Sequence, residues 1–336
     1  MNIDKFANSL TRQLVNQKSL LTVRMLDTDT NLAILENASS QLLVISQTLE
    51  LVEKYGFDGV VLDLEVGVLS TDSVRKQITD FAEEFSSQAQ TADQEFYMTI
   101  YGDTFYRTRP YDVKKLATYI DGLYVMAYDF HKSRGEPGPN FPFGSPPDGG
   151  SLRASPSDSL RASQHDYSFQ TMISDFSSVV PREKLNIIFG MYGYDWTLGA
   201  QGKPLKSATA ISLTEIEYDI LLNCTHKTTP KGRSPFETIF FHLGGRPAFR
   251  QSHGSRIVQK MISSFALDVN ATNGILNCEI FEDKNSHEKM IKYLDAQGYN
   301  HELWYEDEES VEVKIQYLKK QGVGNAGYWV WGYFKI

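Results

Sequence analysis

Cysteine is nearly absent: Cys224 and Cys278 are the two in 336 residues, with no CxxC pair and no metal-ligand spacing. No metal site is therefore expected. The two thiols either pair, if the chain is exported, or stay free and buried. Basic clusters are lacking too, beyond short pairs such as Lys319-Lys320, and the net charge is −9. That combination excludes a nucleic-acid footprint. No apolar run is long enough to span a bilayer, and the opening Met1 to Asn8 has no apolar signal core. Taken literally, such a chain stays in the cytoplasm. A Gly-rich phosphate loop is also missing after the first strand-like run, which argues against a dinucleotide fold.

The chain is 41% hydrophobic and 22% charged, the balance of a globular protein with a large core. Its 19 Phe, 18 Tyr and 4 Trp suit a carbohydrate site, whose aromatic faces bind sugars, and equally suit a large core. Apolar strand-like runs alternate with helical patterns. Strands are expected at 19–26, 57–63, 95–101, 122–128, 184–191 and 326–331. Helices are expected at 41–55, 72–89, 111–119, 168–178 and 311–321, with a polar connection before the first. This rhythm predicts parallel βαβ units, in either a (β/α) barrel or an open doubly wound sheet. Two regions break it. Residues 132–165 are rich in Pro, Gly, Ser and Asp and repeat Ser-Leu-Arg-Ala-Ser, so they read as a long mobile loop. Residues 203–295 are too long for one helix and hold an insertion, with candidate strands at 238–243 and 274–281.

The most informative segment is Phe57-Asp58-Gly59-Val60-Val61-Leu62-Asp63-Leu64-Glu65. An aliphatic run ends in two acids spaced i and i+2. On a strand these carboxylates share a face at its C-terminal end. Paired carboxylates at the mouth of a parallel sheet can hold one proton near neutral pH, as a general acid requires. The plain alternative is a buried strand that runs into a solvated acidic turn.

That segment resembles the signature of the family 18 glycoside hydrolases, Asp-Gly-x-Asp-x-Asp-x-Glu, through Asp58, Gly59, Asp63 and Glu65. Further resemblances follow in the family's order. Tyr124 to His131, containing Met126, Tyr128 and Asp129, is similar to its Met-x-Tyr-Asp motif. Phe189 to Trp196, with Tyr192 and Tyr194, is similar to its seventh strand. The Tyr-Gly-Tyr-Asp-Trp form resembles the bacterial branch of spore-germination and cortex-lytic peptidoglycan hydrolases. Trp304 to Ser310, followed by a helix with Lys314, resembles that branch's approach to the last strand. Gly322 to Trp329 resembles the eighth strand. The resemblance implies an α/β fold of the (β/α)8 TIM-barrel type, with the barrel in residues 1–202 and 296–336 and an insertion at 203–295 between strands 7 and 8. It also implies substrate-assisted retaining hydrolysis, a departure from the two-carboxylate pattern. Glu65 would be the acid, Asp63 would orient the substrate's acetamide, and Tyr128 would bond the acetamido oxygen. Asp129 would bind sugar hydroxyls and Trp329 would floor the sugar. Asp58, Met126, Tyr192 and Tyr194 complete the implied substrate-binding set. Tyr128 and Asp129 could instead simply end a strand, and Trp329 could be core. The implied partners are N-acetylglucosamine-containing glycans, peptidoglycan or chitin-type, with no cofactor.

Two departures qualify this. The family's middle Asp is Val61 here, which leaves Asp63 without that partner and freer to turn towards Glu65. Reduced activity or an altered pH profile is the expectation. Counting back from the signature strand, strands 3–8 are accounted for, and strands 1 and 2 have no counterpart. A barrel so opened carries unpaired edges. Truncation at the N-terminus would explain the gap and would also remove any export signal, so an extracellular or cell-wall location stays open. The competing readings are a catalytically weak or inactive carbohydrate-binding relative and an unrelated cytoplasmic α/β protein. Retention of Glu65 favours the enzyme.

Overall fold

The computed structural model describes residues 17–67, 70–144, 167–225 and 275–330. The chain divides into two compact units. The first comprises 1–130, 143–190 and 314–328, and the second 131–142, 191–313 and 329–336.

The first unit is the incomplete (β/α)-barrel expected from the sequence, a half-barrel sheet with six strands among the described residues. In order these are β1 (Leu20–Met25), β2 (Gly59–Leu64), β3 (Glu95–Tyr101), β4 (Gly122–Ala127), β5 (Leu185–Gly190) and β11 (Asn325–Trp329). Strands β1 to β5 pair in parallel, each with its neighbour in sequence. Helices α1 (Thr28–Leu35), α2 (Ala38–Tyr55), α3 (Asp72–Thr91), α4 (Val113–Tyr119) and α5 (Phe169–Val179) alternate with them, and α6 (Glu308–Lys320) precedes β11. Among the described residues β1 pairs with β2 alone, so its inward-facing Thr22 and Arg24 are exposed, as is the following Leu26.

Local chemistry sets these elements. Helix α1 fills what the sequence suggested was a polar connection. Its Asp27 cap accepts the Thr30 amide at 2.9 Å, a signal that its weak apolar pattern hid. Helix α2 is capped by Asn37 and ends at Gly56, whose φ of +68° lets the chain turn into β2. In α3 the buried Ile78, Phe81, Ala82, Phe85 and Ala89 follow the helical period. Phe85 stacks on Phe96 of β3 with ring centroids 4.6 Å apart. Strand β3 alternates strictly: Phe96, Met98 and Ile100 are buried, while Glu95, Tyr97, Thr99 and Tyr101 line the other face.

The second unit is built on an antiparallel sheet ordered β7-β6-β10-β9-β8. Its strands are β6 (Tyr192–Leu198), β7 (Thr209–Ser212), β8 (Leu276–Glu282), β9 (Lys289–Leu294) and β10 (Asn300–Tyr305). The sheet thus draws on residues either side of the 203–295 expected from the sequence. The candidate strand at 274–281 appears as β8, while 238–243 lies outside the described residues. Strands β6, β7, β9 and β10 were not anticipated. Cys224 and Cys278 form a disulfide across 54 residues, which settles the alternative left open above.

The start of the supposed mobile loop is firmly held. The Trp196 indole donates to Gly135 O at 3.0 Å, and buried Glu288 accepts the Asn140 and Phe141 amides at 2.5 and 2.8 Å. The rest of that stretch, 145–165, lies outside the described residues. Among the described residues no helix is long and apolar enough to cross a membrane.

Candidate active site

Parallel strands bring their C-terminal ends to one edge of a sheet, which is where barrel chemistry gathers. At that edge β2 presents Asp63 and Glu65. Asp63 is buried at 5% exposure, and both its oxygens are held. Arg24 Nε of β1 donates to Oδ2 at 3.1 Å, and Thr99 Oγ1 of β3 donates to Oδ1 at 2.5 Å. Glu65 is half-buried, and the Tyr101 hydroxyl donates to its Oε2 at 2.6 Å. Asp63 is therefore not turned towards Glu65, contrary to the expectation drawn from Val61. An arginine and a threonine on the flanking strands take the place of the absent acidic partner.

The backbone around Glu65 is fixed on both sides. The Asn31 side-chain amide donates to Met25 O and Glu65 O, both at 2.8 Å, tying together the ends of β1 and β2. The Tyr111 hydroxyl donates to Leu64 O at 2.8 Å and accepts from the Val66 amide at 3.3 Å. Burial raises the pKa of Tyr111, so its phenol keeps its proton for this contact.

Tyr128 follows β4. Burial, reinforced by the charges of Asp63, Asp129 and Glu65, pushes its pKa up, so it remains a phenol within the electrostatic reach of both acids. Met126 is buried beside Tyr101 in register, and Asp129 takes a left-handed φ of +58° just beyond the strand. A non-glycine residue in that region is uncommon and tends to mark a constrained turn. Of the expected residues, Asp63, Glu65, Met126, Tyr128 and Asp129 thus collect at one end of the first unit.

Asp58 does not join them. It precedes β2, is exposed, and accepts from the Ser19 amide at 2.6 Å. Five residue steps along the strand, about 17 Å, separate it from Asp63. Its place in this chain is to tie down the opposite end of β1, a correction to the substrate-binding role implied by the motif.

Tyr192, Tyr194 and Trp329 belong to the second unit. The Tyr194 ring meets Tyr192 and Trp196 edge-on at 5.6 and 5.7 Å. Trp329 ends β11, and its carbonyl accepts the Met191 amide at 2.9 Å. Sequence reasoning missed Arg24, Thr99 and Tyr101. The available signals were a charge inside an apolar strand and the polar alternation of β3. Among the described residues no three His, Cys, Asp or Glu side chains gather as a metal-holding group.

The sequence matches the profile of Glycosyl hydrolases family 18 over residues 27–334. The chain belongs to this family. Among curated proteins, YdhD of Bacillus subtilis (strain 168), provisionally named a sporulation-specific glycosylase, is 26% identical over 184 residues. That match spans 53% of this chain and 37% of YdhD. The YdhD crystal structure superposes with a TM-score of 0.61 at 19% identity, covering 98% of this chain and 85% of that one. The spore cortex-lytic enzyme SleL of Bacillus cereus gives 0.61 at 20%, covering 99% and 60%. The family 18 chitinase of Cycas revoluta, solved in complex with (GlcNAc)3, gives 0.60 at 19%, covering 97% and 79%. At these identities the superpositions establish the fold: this family 18 chain shares the chitinase-like barrel.

Proposed function

We propose that this family 18 protein hydrolyses β-1,4 linkages of N-acetylglucosamine-containing glycans, with peptidoglycan strands favoured over chitin, by substrate-assisted retention. The observation that carries this is the fixed pair on β2: Glu65 held by Tyr101, beside Asp63 held by Arg24 and Thr99.

Glu65 delivers its proton to the glycosidic oxygen as the bond to the anomeric carbon breaks. The acetamido oxygen of the same sugar closes onto that carbon, giving an oxazolinium ion. The Asp63 side chain lies beside the acetamido nitrogen and offsets the charge that develops there. The Tyr128 phenol donates to the acetamido oxygen and aligns it for attack. Water, deprotonated by the Glu65 carboxylate, then opens the oxazolinium with net retention. Asp129 and Met126, of the same unit as the two acids, are assigned to sugar binding. Peptidoglycan is favoured because the branch-like Tyr192 to Trp196 motif coincides with similarity to YdhD and SleL.

A second reading, glycan binding with little or no turnover, is favoured by Val61 and by the engagement of both Asp63 oxygens, which restricts how far that side chain can swing. One experiment separates the two: hydrolysis of a chitobiose-type fluorogenic substrate and of purified peptidoglycan, by wild type beside Glu65→Gln. Turnover in the wild type that drops by about 100- to 10,000-fold in Glu65→Gln supports the enzyme. Binding without turnover in both supports the second reading.

A further inference from the structure

The contacts on the two acids are not independent. Asp63 and Thr99 are 36 residues apart, and so are Glu65 and Tyr101. The β2–β3 ladder has the same offset, pairing Gly59 with Glu95 and Leu62 with Met98. Each acid on β2 therefore meets a hydroxyl directly beside it on β3, in two successive rows of one face. The upper row, Glu65 and Tyr101, is buttressed from outside. The Arg109 guanidinium lies 4.2 Å from the centre of the Tyr101 ring. Arg109 is itself held by Asp103 through two hydrogen bonds of 3.0 Å each. A cation over the ring polarises the phenol and fixes its plane. No part of the family signature specifies a residue at this position of β3.

We propose that Tyr101 is a positioning residue for the acid: by donating to Glu65 Oε2 it fixes the carboxyl rotamer and steers the transferable proton to Oε1. The inference rests on Glu65 being the acid. When Glu65 is protonated, Oε2 is the carbonyl oxygen that accepts from Tyr101, and the proton resides on Oε1. After transfer the same hydrogen bond stabilises the carboxylate. Burial and the neighbouring Glu65 raise the pKa of the phenol, so Tyr101 stays a donor throughout the working pH range. Arg109, anchored by Asp103, keeps the ring in place and acts through it.

The test is Tyr101→Phe, which keeps the ring and removes the donor. The Glu65 side-chain carboxyl is labelled with carbon-13 and titrated by NMR in the wild type and the variant, beside kcat profiles on the fluorogenic chitobiose substrate. Losing a hydrogen bond that favours the charged form moves the Glu65 midpoint, and the alkaline limb of kcat, upwards by about one pH unit. kcat falls about tenfold with KM unchanged, while Arg109→Gln moves the same quantities in the same direction by less. An unmoved midpoint in folded Tyr101→Phe overturns the proposal, whether or not the wild type turns over. If Glu65→Gln is inactive while Tyr101→Phe keeps the wild-type midpoint and profile, the positioning role falls and the acid assignment stands. A Glu65→Gln variant as active as wild type overturns both.

Discussion

Two clusters of carboxylates in this chain use similar partners to opposite ends. In the first unit, Asp63 and Glu65 sit in adjacent rows at the C-terminal edge of a parallel sheet, with an arginine and two hydroxyls spread between them. In the second unit a single carboxylate collects its partners. Asp195 accepts from the Tyr293 hydroxyl at 2.7 Å and pairs with His301 Nδ1 at 2.9 Å, and the tyrosine and imidazole rings stack at 4.6 Å. His301 Nε2 lies 3.4 Å from Asp295, an ionic contact rather than an aligned hydrogen bond. The second cluster spans β6, β10 and β9, so it ties three antiparallel strands together. The first places two acids in successive rows at the C-terminal end of one strand. Satisfying one acid from all sides makes a rivet, whereas sharing a few donors between two acids leaves a group able to exchange a proton.

The largest effect should break this contrast cleanly. Asp63→Asn is expected to lower kcat by about 100- to 1,000-fold, since under the proposed mechanism it removes the charge that faces the oxazolinium, and to cost less stability than a change at Asp195 because its partner Arg24 is exposed and stays hydrated. Asp195→Asn is expected to leave kcat near the wild-type value and to cost about 2–3 kcal/mol, because Tyr293 and His301 lose a buried ionic partner. Steady-state kinetics and urea melts on both variants read the two quantities. Loss of stability without loss of activity in Asp63→Asn would place the first cluster with the rivets.

A smaller effect sharpens the first half. Val61 lies on the same face as Asp63, one row deeper, beside Tyr97. Introducing Val61→Asp adds a charge close enough to alter how Asp63 is held, and the pH–rate profile is expected to shift. An unchanged profile would mean that Arg24 and Thr99 have made the missing acid irrelevant.

The smallest effect concerns His301. Burial opposes its charge, but the hydrogen bond and charge of Asp195, with Asp295, outweigh it and raise the pKa. A group whose folded pKa is raised contributes stability that is complete below the unfolded value of about 6.5. That contribution is lost as pH rises through the higher folded value. Melts of the wild type are therefore expected to weaken as pH rises above about 6.5, and His301→Gln to flatten the difference. A proton-NMR midpoint for His301 at or below 6.5 would contradict this.

How much of this was legible varied with the kind of sheet. Strands β2 and β4 were readable because parallel strands buried on both faces give unbroken apolar runs, and β3 because its buried residues alternate. Residues 95–101 were placed to the residue. Strand β6 was absorbed into the barrel motif that precedes it, since β5 ends at Gly190 and β6 starts at Tyr192. Strands β9 and β10 carry charged and polar residues among apolar ones, as in Lys289-Met290-Ile291-Lys292-Tyr293-Leu294, and no simple period marks them. Helix α1 was hidden by polar composition. In the site, Asp63, Glu65 and Tyr128 were readable because motifs run along one strand. Asp58 was misplaced for the same reason, since a motif gives order along the chain and is silent about which end of a strand each residue occupies.

The sequence by itself determined the family, the alternation of strands and helices, and the two acids at the end of β2, because these are local or periodic properties of the chain. Tertiary structure alone decided what holds those acids. Arg24 reaches Asp63 across 39 residues, and Thr99 and Tyr101 reach their acids across 36. Parallel strands become neighbours only through the intervening helices, so the ladder register sets these lateral contacts and no spacing within a single strand encodes them.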